Sequence, residues 1–128
     1  MDNKSDIYIQ PMVSIIIPVY NRVSYIKECV NSALNQTISS IEVIICDNKS
    51  TDGTWELCEE LFSEDRRIRL FRNSSNIGPV RNWALCAKLA LGKYIKILFS
   101  DDVLFPNFLE KTLYLLENNE SIGFVYTS

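Results

Sequence analysis

Apolar positions in this chain fall into two alternating patterns, short unbroken runs and stripes of helical period. Val13 to Val19 (VSIIIPV) is almost continuously apolar and β-branched, which predicts a strand buried on both faces of a parallel sheet. Pro18 lacks a ladder donor and marks the end of that strand. From Ser24 the period turns helical. Ile26, Val30, Ala33 and Leu34 share one face with Cys29 beside them, predicting a helix to about Gln36. Ile41 to Cys46 (IEVIIC) predicts a second strand, and Asp47 to Thr54 is a loop dense in turn and cap formers. A second helix is expected over Gly53 to Ser63, burying Trp55, Cys58, Leu61 and Phe62. Ile68 to Phe71 reads as a third strand. Arg72 to Gly78 then leads to Pro79, a residue suited to the first helical position. The third helix carries Val80, Trp83, Ala84, Ala87 and Leu91, with Gly92 as its stop. Tyr94 to Phe99 predicts a fourth strand. Pro106 opens a fourth helix with Phe108, Leu109, Leu113 and Leu116 inward, and Ile122 to Tyr126 begins a fifth strand.

Regular alternation of strand and helix predicts an α/β fold, a mostly parallel sheet with helices on both faces. Right-handed crossovers then gather every strand-to-helix loop at one edge of the sheet. The 128 residues suffice for one domain with a real core, and 47% hydrophobic with 23% charged content fits a globular protein. Residues 1–11 are polar and irregular and read as a flexible leader.

Charge removes some functions. The net charge is −3 and the 13 basic residues are scattered, so nothing suggests a nucleic-acid partner. Arg66, Arg67, Arg69 and Arg72 interleave with Ile68, Leu70 and Phe71, as on the wet face of a half-buried strand. Cys29, Cys46, Cys58 and Cys86 show no paired spacing, and the chain has no histidine, which argues against zinc. Their apolar neighbours suggest reduced core thiols in a reducing compartment. No apolar stretch reaches membrane-spanning length.

The chemistry concentrates at the carboxyl edge. The apolar run from Tyr94 to Phe99 gives way to the adjacent carboxylates Asp101 and Asp102, where open α/β sheets place their ligands. A divalent cation would offset their repulsion, and magnesium or manganese favours carboxylate oxygens. The alternative is that one of the two caps the helix after Pro106, and spacing leaves both readings open. Other loops bring Tyr20 and Asn21, then Asp47, Asn48 and Asp52, then Arg81 and Asn82. Such groups can stack on a base, accept from a base N–H or ribose hydroxyl, and neutralise phosphates. Each also has a plainer use. Tyr20 fits a loop aromatic, Asp52 a helix cap, Arg81 a solvated surface and both tryptophans the core. Asp47, closing a buried strand, has fewer structural uses.

Rival α/β readings fail on motifs. The first turn has no glycine, as a dinucleotide fold requires, and no Gly-Lys-Ser/Thr phosphate loop occurs. A phospho-acceptor receiver would need acids after the first strand, and a nucleotidyltransferase a glycine- and arginine-rich first loop. Neither is present.

Four stretches, VSIIIPVYNR (13–22), DNKSTDGT (47–54), NIGPVRN (76–82) and GKYIKILFSDD (92–102), together resemble the serial motifs of family 2 inverting glycosyltransferases. The resemblance covers about Met12 onward. It implies the Rossmann-like nucleotide-binding half of a GT-A fold, a nucleotide-sugar donor, often a UDP-sugar, and Mn2+ or Mg2+ as cofactor. By motif, Pro18, Tyr20 and Asn21 would line the nucleoside pocket, and Asp47 would bond the uracil ring. Arg81 would lie near the base or diphosphate, Asp101 near the ribose and Asp102 at the metal. Asp52 is assigned to loop structure first. Phe99 stands where the family often has a further acid, leaving the metal to Ser100-Asp101-Asp102. The resemblance also implies that residues 12–128 form a donor-binding domain ending before the acceptor-binding part. The general base would then lie beyond residue 128 and the catalytic residues are not among those named. Expected partners are a glycan or lipid-linked sugar acceptor and, through exposed apolar surface, a second copy of the chain. The expected location is cytoplasmic, at the inner membrane face in a full-length protein. A nucleotide-binding module without chemistry is the alternative.

Overall fold

The computed structural model describes residues 9–127. Eight elements alternate along it: β1 (Val13–Val19), α1 (Ile26–Leu34), β2 (Ile41–Asp47), α2 (Thr54–Glu64), β3 (Ile68–Arg72), α3 (Pro79–Leu89), β4 (Tyr94–Ile97) and α4 (Phe108–Glu117). The four strands form one parallel sheet in the order β3-β2-β1-β4. The chain steps from β1 to β2 to β3 in one direction, then crosses back to the far side of β1. Right-handed crossovers therefore put α1 and α2 on one face and α3 on the other.

The sequence explains the layers. Every residue of β1 and β2 is buried, as expected of central strands covered on both faces. Side chains alternate across the sheet. Ile15, Ile17, Val43 and Ile45 therefore pack against Ile26 and Val30 of α1, Cys58 and Leu61 of α2, and Leu109 and Leu113 of α4. Ile16, Ile44 and Cys46 face the other way, onto Cys86 of α3. Each such fully buried aliphatic contributes about 1.5–3 kcal/mol. All four cysteines are buried and free.

A polar lock sits on the α3 face at the opposite end of the sheet from the loops. Buried Glu42 accepts from the Ser14 hydroxyl and from the Leu91 N–H at 2.7 Å, and pairs with Arg69 at 2.9 Å. Ser14 Oγ accepts in turn from the Gly92 N–H at 2.8 Å. A Cβ on Gly92 would lie 2.6 Å from the Ser14 backbone nitrogen. Gly92 is thus a close-approach residue and not the stop of α3, which ends at Leu89 with Ala90 extended.

Several sequence expectations need correction. The fourth strand ends at Ile97 and not Phe99. The last rung joins Leu98 N–H to Ile16 O at 2.9 Å, and the next would need an N–H from Pro18, which has none. β1 runs on beside β2 alone. The expected fifth strand, Ile122 to Tyr126, forms no ladder with any described strand. It borders a groove of about 560 Å³ beside β4 and α4. The arginines near β3 are partly exposed on a half-buried strand but do not share one face, Arg69 lying on the α3 side and Arg72 on the α2 side. Arg67 pairs with Asp65, Arg69 with Glu42 and Arg72 with Asp47, the last two carboxylates being buried. Of the expected leader, residues 1–8 lie outside the described residues. Gln10 bonds the Leu91 carbonyl at 3.0 Å, and the Pro11 carbonyl accepts from Lys93. Among the described residues no helix is long and apolar enough to cross a membrane.

Candidate functional site

Strand order reverses between β1 and β4, and in open α/β sheets the crevice beyond such a switch point is where ligands bind. Here Pro18 ends the β1–β4 ladder, and a cleft of about 340 Å³ opens at that point. Four loops build it.

After β1, Tyr20 lines the cleft with 43% of its surface exposed. Asn21 adopts a left-handed backbone, φ 50°, which asparagine tolerates. Its Oδ1 accepts from the Thr51 N–H at 2.8 Å, and its own N–H donates to Ser50 Oγ at 2.9 Å. Asn21 thus braces the first loop on the second and is absent from the cleft lining. Arg22 does line the cleft, its guanidinium bonded to the Asn21 carbonyl at 3.0 Å and 3.8 Å from Asp101.

Alternation separates Asp47 from Asn48 after β2. Asp47 faces the α2 layer, fully buried, with Arg72 Nε at 3.2 Å and the Ser50 N–H at 3.1 Å. Its Oδ1 has no partner among the described residues. The cleft lies on the other face, so Asp47 does not line it and Asn48 does. The Asn48 amide is saturated. Its Nδ2 donates to Asn76 Oδ1 and Gly78 O, and its Oδ1 accepts from Asn73 Nδ2 and Ile77 N–H. It clamps the 73–78 loop against the sheet. Asp52 bonds the N–H groups of Thr54 and Val23, which is the loop-building role expected of it.

The helical period of α3 places Pro79, Asn82 and Trp83 on one stripe facing the cleft. Gly78 precedes them at φ 84° and ψ 159°, a region essentially restricted to glycine. Arg81 falls off this stripe. It is exposed, does not line the cleft and forms no ion pair among the described residues. Trp83 belongs to the cleft and not to the core. It is 40% exposed and meets Phe99 edge-on, ring centroids 5.4 Å apart at 62°.

A tight turn follows β4, the Asp102 N–H donating to Phe99 O at 2.9 Å. Asp101 lines the cleft, and Asp102 sits exposed just outside the lining. The Cys29 thiol donates to Phe99 O from below at 3.4 Å. Burial, then the charges of Asp102 and Asp101, push that thiol up to about 12. Burial pushes the Lys96 ammonium down, and the Asp102 carboxylate works against it. Arg22 offsets part of the Asp101 charge. Among the described residues no three acids, cysteines or histidines converge as a metal cluster.

The resemblance implies Pro18, Tyr20 and Asp101 as site residues, and the structure brings these three together. Asn48, named with them at the carboxyl edge, is there too. Arg22, Asn76, Trp83 and Phe99 are not named as neighbours, although all but Trp83 stand inside the motif stretches.

A parallel sheet with its polar cleft at the switch point defines a Rossmann-like α/β domain. Residues 14–128 match the model of glycosyl transferase family 2, and the chain belongs to that family. It is 43% identical over 119 residues to a chondroitin synthase of Escherichia coli, taking in 92% of this chain and 17% of that protein. It is 40% identical over 119 residues to a hyaluronan synthase of Pasteurella multocida, with 92% and 12% covered. The chain thus spans less than a fifth of either synthase. S. aureus TarS 1-349 in complex with UDP-GlcNAc superposes with a TM-score of 0.77 at 26% identity, covering 84% of this chain and 32% of that one. The mannosyltransferase PcManGT from Pyrobaculum calidifontis, in complex with GDP-Man and Mn2+, shares the fold with a TM-score of 0.76 at 22% identity, covering 84% and 33%. The fold expected from the motifs is the fold found.

Proposed function

We propose that the cleft between β1 and β4 binds the nucleoside diphosphate of a sugar donor, a UDP-sugar, as the donor-binding part of an inverting glycosyltransferase of polysaccharide biosynthesis. The observation that carries this is the switch-point cleft itself, with an exposed aromatic in the loop after β1 and a carboxylate pair in the turn after β4. The family match and the nucleotide-sugar complex of a relative support it.

Tyr20 packs on the nucleoside above the Pro18 floor, and Asp101 accepts from a ribose hydroxyl. Arg22 takes the place by the diphosphate that the motif alone gives to Arg81, because Arg22 lines the cleft. Two adjacent exposed carboxylates suit Mn2+ or Mg2+, which binds through one or two carboxylates with the remaining positions left to phosphate and water. Asp102, with Asp101 beside it, would hold the ion. When bound, the ion neutralises charge on the departing diphosphate. The acceptor is a hydroxyl of a glycan or lipid-linked sugar, deprotonated by a base that none of these residues supplies.

Calorimetry tests the assignment. UDP should bind the chain, and Mn2+ should strengthen that binding. Asp102→Asn should remove the Mn2+ effect while leaving the thermal unfolding midpoint within a few degrees. Undiminished strengthening in the variant would overturn the placing of the ion.

A further inference from the structure

Tyr20 is one of three partly exposed aromatic side chains in the cleft, and the reading above leaves the other two without a role. Trp83 and Phe99 keep 40% and 42% of their surface open, beside Ser100 and Asp101. Their edge-on contact uses one side of each ring and leaves apolar surface facing the cleft. Large apolar rings held open in a polar concavity mark a ligand contact more often than an accident of the surface.

The two rings are also held in place. Phe99 stands on a turn fixed through its carbonyl by the Asp102 N–H and the Cys29 thiol. Trp83 follows Asn82, whose amide is buried, donates to the Cys46 carbonyl at 2.9 Å and accepts from Asn73 at 2.9 Å. This is a wall set before any ligand arrives, which lowers the entropic cost of binding. Asn48, on the same cleft, has no donor or acceptor left with which to read a base. The open ring faces offer a planar ligand a contact that Asn48 does not.

We propose that Trp83, braced edge-on by Phe99, is a nucleobase-stacking wall of the donor cleft, a second aromatic contact in addition to Tyr20. The inference rests on the reading of the cleft as a nucleotide site. Stacking of this kind is worth on the order of ten- to a hundredfold in affinity for one base. It acts on the base, so UDP and a UDP-sugar lose equally when it is removed.

The chain has two tryptophans, so Trp55→Phe leaves Trp83 as the sole indole emitter. In that background UDP should quench the emission and inorganic pyrophosphate should not. Trp83→Ala should weaken UDP and UDP-GlcNAc alike by about tenfold or more in calorimetry, and Trp83→Phe should restore most of the loss. Thermal unfolding of each variant, matched to the parent, shows that the fold is kept. If Trp83→Ala binds UDP as the parent does, or if UDP binds by calorimetry without quenching Trp83, the wall falls and the nucleotide site stands. If the parent binds no UDP at all, the nucleotide reading falls first and takes the wall with it.

Discussion

Glu42 is a carboxylate in a place that ought to be apolar, and its partners decide what it does. Burial pushes its pKa up. Bonds from the Ser14 hydroxyl, the Leu91 N–H and Arg69 more than reverse this and leave it below the usual carboxylate value. A group with a depressed folded pKa adds stability that is complete above the unfolded pKa and lost as pH falls through the folded one. Urea unfolding should therefore show stability dropping as pH falls below about 4, and Glu42→Gln should flatten that slope. At pH 7 the variant should cost roughly 2 kcal/mol, the usual scale for a lost charged hydrogen bond. Residue roles at the cleft were harder to read from the sequence. An acid closing β2 is visible at Asp47, and alternation says that Asn48 faces the opposite way. Which of the two faces the cleft depends on which face α3 covers, and strand order decides that. Arg81 lies outside the cleft for a related reason, because one step along α3 turns a side chain by about 100°.

At the scale of elements, strands and helices were legible because their periods are clean. β1 and β2 are continuous apolar runs, and α1 carries its stripe at Ile26, Cys29, Val30 and Ala33. Ends were not legible where the cause lies in another element. β4 stops because Pro18 of β1 has no N–H, and the 122–126 segment joins no ladder among the described strands. Gly92 reads as a helix stop until the Ser14 backbone is seen against it. Gly92→Ala should destabilise by about 1–3 kcal/mol, the cost of forcing a methyl into a packed contact. β4 also differs from β1 in cover, since Ile97 on its α3 face is 45% exposed while Ile16 is fully buried. Chemical denaturation should find Ile97→Thr within about 0.5 kcal/mol of the parent, and Ile16→Ala destabilised by about 2–5 kcal/mol.

For the whole molecule, the return of the chain across β1 after β3 has two consequences. It sends α3 to the second face, so that β1 and β2 are covered on both sides. It also leaves the loops after β1 and β4 facing each other across a gap that Pro18 widens. The site thus follows from topology more than from any one motif. A larger groove, about 560 Å³, lies beside β4 and α4, away from the strand ends. Amide-resolved NMR during a UDP titration chooses between the two places. The largest shifts should fall in 19–22, 76–83 and 99–102, with Glu42, Leu91 and Gly92 unmoved. Shifts gathered at Lys93 to Lys96, Thr112 and Leu116, or none at millimolar UDP, would contradict the assignment of this cleft.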